Sequence, residues 1–104
     1  MRYSEIAKRY AVALFQMGEE SKNHETNFGQ LKKIAEIFEQ DAATKAFVLS
    51  PLIPASEKEK VVAAALKGAG LSQEVESLIL LLAQRERLSL LSEIVAAYEA
   101  KSDL

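Results

Sequence analysis

The side chains that could perform chemistry in this chain of 104 residues are few. The chain contains no Cys, and His24 is its only His. Thiolate catalysis, Cys-ligated metal sites and His-pair metal motifs are therefore excluded, and a Ser-His-Asp site is disfavoured. His24 falls near a predicted turn between two helices, where we expect a solvated surface imidazole.

Two further segments imitate catalytic or phosphate-binding motifs without fulfilling them. Glu19 and Glu20 are adjacent carboxylates, but neighbouring residues on a helix diverge by about 100°, so they do not converge on one substrate. Residues 67–70, Lys-Gly-Ala-Gly, lack the third Gly, the preceding strand and the Lys-Ser/Thr of phosphate loops; they are typical of a helix C-terminus. The sequence therefore predicts no catalytic residues, no cofactor and no metal.

Short basic pairs occur at Lys8-Arg9, at Lys32-Lys33 and at Lys58 with Lys60. Acidic residues are interspersed with them, which predicts solvated faces rather than a track for phosphates. The formal net charge of −2 gives no basic field over the whole domain, and we expect no nucleic-acid partner. A small helical RNA-binding module, with steeply salt-dependent affinity, stays as the alternative function.

No unbroken apolar run, 61–66 and 78–83 included, is longer than six residues. A membrane-spanning helix needs about 20, so we expect no direct membrane insertion. Charged residues occupy the start of the chain, where a signal peptide needs an apolar stretch. These features predict a cytoplasmic protein, or one held at a membrane only by its partners.

Only four Gly and two Pro interrupt the sequence, and strict alternation of apolar and polar residues is missing. This composition predicts an all-α protein, a compact six-helix bundle with short connections. The predicted helices cover residues 4–20, 25–39, 42–49, 56–68, 73–85 and 90–101. The third of them is expected to bury three apolar side chains, Ala46, Phe47 and Leu49.

Capping residues mark several of these boundaries. Ser4 and Ser72 are predicted N-caps of the first and fifth helices, and Ser89 is expected to open the sixth. Residues 56–59, Ser-Glu-Lys-Glu, have the spacing of a capping box and predict the start of the fourth helix. Gly68 is predicted to end that helix in the C′ position. In the turn 85–87 we expect an arginine to bond the carbonyls at a helix end.

The first helix has more apolar surface than one core requires. On a helical wheel its apolar residues fill an arc of about 200°, whereas packing on a single core needs about 100° or a little more. One side of the arc is expected to face the interior and consists of Ala7, Ala11, Leu14 and Phe15. The other side needs further cover and consists of Ile6, Tyr10, Ala13 and Met17.

The fifth helix shows the same excess, because its apolar run 78–83 extends around the whole circumference. Leu81 shares a sector with Ser77, away from the stripe that contains Leu78. Either the domain itself buries this helix on all sides, or the first and fifth helices lie side by side and leave an apolar groove. Such a groove would accept an amphipathic helix from another protein, and the small Ala13 and Ser77 would allow close approach.

Two segments resemble a known family. Residues 6–15, Ile-Ala-Lys-Arg-Tyr-Ala-Val-Ala-Leu-Phe, resemble the opening helix of the F-type ATP synthase delta subunit, whose mitochondrial counterpart is the oligomycin-sensitivity-conferring protein. Residues 82–94, Leu-Ala-Gln-Arg-Glu-Arg-Leu-Ser-Leu-Leu-Ser-Glu-Ile, resemble the junction between the fifth and sixth helices of that family. The resemblance covers the whole chain, which is expected to be the family's N-terminal domain, residues 1–104, without its C-terminal domain.

The resemblance implies a non-catalytic part of the stator. In the family this domain sits on the catalytic head and holds the N-terminal helix of an alpha subunit between its first and fifth helices. The C-terminal domain contacts the b subunit of the peripheral stalk. The implied location is the cytoplasmic face of the bacterial inner membrane, and the function is to support proton-driven ATP synthesis. The residues expected to bind the alpha helix are Ile6, Tyr10, Ala13, Met17, Ser77, Leu78 and Leu81.

Overall fold

The computed structural model describes residues 3–102. Over that range the chain forms six α helices and one short 3-10 helix, without any strand, which confirms the predicted six-helix bundle. The α helices are α1 (Glu5–Ser21), α2 (His24–Gln40), α3 (Ala42–Leu49), α4 (Ala55–Leu66), α5 (Gln73–Gln84) and α6 (Leu91–Ser102). The 3-10 helix is Leu88–Leu90. None of the helices in residues 3–102 has the length and apolarity that crossing a membrane requires.

Three predicted caps are confirmed. The Ser4 hydroxyl accepts a hydrogen bond from the amide of Ala7 at 3.1 Å, and the Ser72 hydroxyl accepts one from Val75 at 3.2 Å. Each bond satisfies an amide that the first turn of a helix leaves without a partner. Gly68 follows α4 with a φ of +80°, the left-handed conformation that glycine adopts most readily.

Two other predicted caps are wrong, although α4 and α6 each begin within one residue of the predicted start. The capping box at 56–59 does not form, because α4 already begins at Ala55 and Pro54 takes the N-cap position without a side-chain bond. The φ of −61° at Pro54 suits a helix entry, and its carbonyl accepts from the amide of Lys58 at 3.1 Å. Ser89 does not open α6 either, since it lies within the 3-10 helix and α6 begins at Leu91.

The core lies mainly between α1, α2, α5 and α6, and α4 adds Val62 and Leu66. The predicted inward face of α1 is confirmed for Ala7, Ala11 and Leu14, which are buried, while Phe15 is half-buried and packs against the core. The helix α6 packs against both α1 and α2, and α5 packs against α1 and α4. The largest fully buried side chains come from all four core helices and include Leu14, Leu31, Ile79, Ile94 and Tyr98.

The prediction for α3 is wrong, because none of its residues is buried. Leu49 is 53% exposed, Ala46 is exposed and Phe47 is half-buried. This helix of only 8 residues lies against α2 at the periphery of the bundle, and with α2 and α4 it borders an open apolar depression of about 370 Å³. Its apolar side chains therefore line a surface, as does Val61 of α4, which is 50% exposed.

The expectation of a solvated His24 is also wrong. The imidazole is half-buried, its Nδ1 lies 3.0 Å from the hydroxyl of Tyr98, and its ring stacks on Phe15 with 4.2 Å between centroids. The cause is the position of the α1–α2 turn, since α2 begins at His24 itself and the ring folds over Gly18.

Gly18→Ala is expected to destabilise the fold. A Cβ at this buried position would lie 2.9 Å from Nδ1 of His24, and the contacts with Phe15 and Tyr98 hold that ring in place. Overpacking of this kind costs about 1–3 kcal/mol, which urea unfolding measures. In a His24→Ala background the same change should stabilise by up to about 1 kcal/mol, because Ala is the better helix former.

Gly29→Ala is the matched control for this prediction. Gly29 also lies within a helix, but a Cβ there would have no neighbour within 4 Å. We therefore expect Gly29→Ala to stabilise with or without His24. Equal destabilisation by Gly18→Ala in both backgrounds would show that the imidazole is not the obstacle.

Candidate helix-binding surface on α1 and α5

The helices α1 and α5 lie side by side and run in opposite directions, which confirms the predicted pairing. At one end, the hydroxyl of Ser21, the last residue of α1, donates to Glu74 in the first turn of α5 at 2.5 Å. At the other end, Nη1 of Arg87, just beyond α5, donates to the hydroxyl of Tyr10 at 2.9 Å.

Six of the seven predicted binding residues retain solvent access. Ile6 and Met17 are 41% and 39% exposed. Ala13 and Ser77 are exposed, and Tyr10 and Leu81 are half-buried. These six residues define what we name the α1/α5 face: Ile6, Tyr10, Ala13, Met17, Ser77 and Leu81. Leu78 is only 5% exposed and belongs to the core, so it offers a partner little area.

One end of the α1/α5 face is concave. A depression of about 450 Å³ lies where the end of α1 meets the start of α5. Its lining consists of Met17, Glu20, Ser21, Gln73, Glu74 and Ser77. Sequence reasoning identified Met17 and Ser77 but missed the polar members, because a search for apolar stripes does not register a carboxylate at the end of a stripe.

Glu74 ties the start of α5 to the α1–α2 turn. Its Oε1 accepts from the hydroxyl of Ser21 at 2.5 Å and from Nδ2 of Asn23 at 3.4 Å. The Ser21 bond is the main reason that the pKa of Glu74 lies below its ordinary value of 4.5. The folded state therefore favours the ionised carboxylate.

This lowered pKa predicts an acid-dependent contribution to stability. The contribution is complete above the unfolded-state pKa and is lost as the pH falls through the lower pKa of the folded state. Between about pH 5.5 and 3, Glu74→Gln should therefore lose less stability than the wild type. Urea unfolding across this range tests the prediction, with Glu36→Gln on the exposed face of α2 as control. Parallel curves for Glu74→Gln and the wild type would contradict it.

Arg87 owes its position to the way α5 ends. Glu86 adopts a φ of 55°, its amide donates to Ala83, and the amide of Arg87 donates to Leu82 at 2.8 Å. These two backbone bonds end α5 and place the guanidinium of Arg87 against Tyr10, with Cζ of Arg87 6.0 Å from the centroid of the tyrosine ring. The expected arginine bond to helix-end carbonyls is thus wrong, because backbone amides satisfy those carbonyls and the Arg87 side chain bonds Tyr10.

Three lysines of the basic pairs already have partners within the domain. Lys58 is 4% exposed and pairs with Glu86 at 3.2 Å, so its predicted solvation is wrong. Lys60 lies 3.8 Å from Glu57, and Lys32 lies over the ring of Phe28. Lys32, Lys58 and Lys60 thus interact with carboxylates or an aromatic ring of the same domain, and their positions do not favour the RNA-binding alternative. Within residues 3–102 no cluster of three or more potential metal ligands occurs.

Comparison with known proteins identifies the family. A family model described as "ATP synthase delta (OSCP) subunit" matches residues 6–103. The chain is 36% identical over 104 residues to the ATP synthase subunit delta of Bdellovibrio bacteriovorus, covering 100% of this chain and 57% of that protein. It is 33% identical over 93 residues to the corresponding subunit of Paramagnetospirillum magneticum, covering 89% and 50%.

A solved structure shares the fold. A chain in the cryo-EM structure of the Polytomella F-ATP synthase superposes with a TM-score of 0.88 at 24% identity, covering 96% of this chain and 88% of that one. The chain spans about half the length of the curated relatives it matches. The family model and the curated relatives agree with the resemblance found in the sequence, and the chain belongs to the ATP synthase delta (OSCP) subunit family.

Proposed function

We propose that this chain is a structural, non-catalytic part of the stator of an F-type ATP synthase. It links the catalytic head to the peripheral stalk and so supports proton-driven ATP synthesis that takes place on other subunits. Family membership over residues 6–103 supports this assignment. We place the assembly at the cytoplasmic face of the bacterial inner membrane, and the first two curated relatives are both bacterial subunits.

The partner of the α1/α5 face is the N-terminal helix of an alpha subunit. The observation that carries this proposal is the exposure of Ile6 and Met17, at 41% and 39%, on a helix whose opposite side is fully buried. Covering about 500 Å² of apolar surface contributes on the order of 12 kcal/mol before the costs of association. Leaving that surface bare would promote non-specific association.

Contact with the b subunit of the peripheral stalk belongs, in this proposal, to the part of the longer relatives that this chain does not span. The curated relatives extend to nearly twice its length. The described helices therefore attach to the head, and the remaining segment attaches to the stalk.

An NMR titration tests the docking site. The isotope-labelled chain is titrated with a synthetic peptide of the first 20 or so residues of the alpha subunit from the same organism. We expect saturable binding, with the largest amide shifts in α1 and α5. The apolar depression between α2, α3 and α4 is an internal control, because it is also open and apolar. The absence of binding, or shifts confined to that second depression, would overturn the assignment.

A further inference from the structure

The α1/α5 face carries opposite charges at its two ends. At the basic end, Arg87 lies against Tyr10. At the acidic end, Glu20 and Glu74 line the depression. The other residues of the face, Ile6, Ala13, Met17, Ser77 and Leu81, are uncharged. A docked helix therefore meets an apolar strip between two charged ends, and Ile6 extends the apolar surface about one turn beyond the basic end.

Both ends retain the capacity to bind a partner. The bond to Tyr10 uses one of the five N–H donors of the Arg87 guanidinium, and the side chain is only half-buried. Glu20 is exposed, and a carboxylate has about four acceptor sites. A guanidinium of this kind suits a carboxylate, and the acidic end suits an ammonium or guanidinium group.

Along α1 the two charged ends are about three helical turns apart. Tyr10, which contacts Arg87, and Glu20 are ten residues apart, a rise of about 15 Å. On a partner helix lying along this face, residues i and i+11 are separated by a similar rise of about 16 Å. They also lie on the same side, because three turns contain about 10.8 residues.

We propose that the α1/α5 face selects the direction of the helix that docks on it. The partner presents a carboxylate to Arg87 and, eleven residues later, a cation to Glu20 and Glu74. Because helices favour acidic residues in the first turn and basic ones in the last, the partner's N-terminus lies at the Arg87 end and the partner runs parallel to α1. The helix dipole of the partner alone would favour the opposite direction, because it brings a positive half charge at the partner's N-terminus close to Arg87. The full charges of the side chains outweigh these half charges. This inference rests on the proposed function and adds the direction of its ligand.

Two synthetic peptides of equal composition test the proposal. Both carry the apolar face of the alpha N-terminal segment. The forward peptide has Glu at position i and Lys at i+11, and the reverse peptide exchanges the two. The forward peptide forms the more stable helix by itself, which alone could raise its affinity. The decisive quantity is therefore the ratio of the forward affinity to the reverse affinity. Calorimetric titration at low salt measures this ratio for the wild type and for each variant.

We expect this affinity ratio to fall at least about tenfold from the wild type to the double variant Arg87→Glu/Glu20→Lys, and the difference to shrink at high salt. The matched control Lys33→Glu/Glu36→Lys exchanges charges on the exposed face of α2 and should keep the wild-type ratio. If the double variant is poorly folded by circular dichroism, Glu20→Lys alone should still lower the ratio about threefold.

The outcomes separate the two proposals. An unchanged ratio with binding retained would overturn the selection of direction and leave the docking assignment intact. A fall in the control as large as in the double variant would also overturn it, because the effect would then not come from the two ends. If neither peptide nor the natural alpha segment binds, the docking assignment fails, and the inference fails with it.

Discussion

Ala13→Asp is expected to weaken binding of the alpha N-terminal peptide by about 2–3 kcal/mol, or roughly 30- to 150-fold. Ala13 is exposed between the apolar side chains of the α1/α5 face, and its small size allows a docked helix to approach. A carboxylate there would lose its hydration when the partner helix covers it, and none of the six residues of the α1/α5 face is a cation that could pair with it. Calorimetric titration of the variant and the wild type measures the effect.

The fold should survive this substitution, since the inward face of α1 consists of other residues, with Ala7, Ala11 and Leu14 fully buried. Thermal unfolding followed by circular dichroism checks this point. Ala63→Asp is the matched control, because it introduces the same charge at an exposed alanine of α4. Equal affinities in Ala13→Asp and Ala63→Asp would remove Ala13 from the binding surface and, with it, the centre of the proposed site.

The main features of this surface were predictable from periodicity. The apolar arc of α1 is wider than one core can use, and the structure divides it as expected: Leu14 is buried while Met17 is 39% exposed. The apolar run of α5 divides in the same way, with Ile79 buried and Leu81 half-buried. Helical periodicity sets these directions locally, so they do not depend on knowing which helices are neighbours.

Features that depend on tertiary neighbours were not predictable. The left-handed conformations of Lys22 and Glu86 close α1 and α5, but neither residue is the Gly or Asn that would announce such a cap. The Glu86 cap directs Arg87 to Tyr10, 77 positions away in the chain, and so creates the basic end of the face. The exposure of α3 was missed for a related reason. An apolar stripe shows which face of a helix is hydrophobic, but it does not show whether another element of the fold buries that face.

His24 shows how a single contact changes the interpretation of a residue. Its sequence context, between polar residues near a turn, favours solvent. Its partners Phe15 and Tyr98 lie on α1 and α6, and the fold brings them together across the α1–α2 turn. The cluster therefore fixes the end of α1 against α6, on the interior side of the helix that carries the α1/α5 face.

Tyr98→Ala is expected to have the largest effect on stability, a loss of about 3–5 kcal/mol. Tyr98 is fully buried, and its ring stacks on Phe28 with 6.0 Å between centroids and contacts Phe15 at 5.8 Å. Truncation leaves a cavity where α6 meets α1 and α2. Because small domains have only about 5–15 kcal/mol in total, urea unfolding should show a much lower midpoint for this variant.

Tyr98→Phe separates the contribution of the ring to stability from that of the hydroxyl. Burial and the charge of Glu74 raise the pKa of Tyr98, so the phenol stays protonated at neutral pH. Its hydroxyl forms a hydrogen bond with Nδ1 of His24. Losing that bond while keeping the ring should cost only about 1–2 kcal/mol, and the affinity for the alpha peptide should not change. If Tyr98→Phe destabilised as much as Tyr98→Ala, the hydroxyl would be the main anchor. If it instead weakened peptide binding while the protein remained folded, the cluster would have to position the α1/α5 face as well as stabilise it.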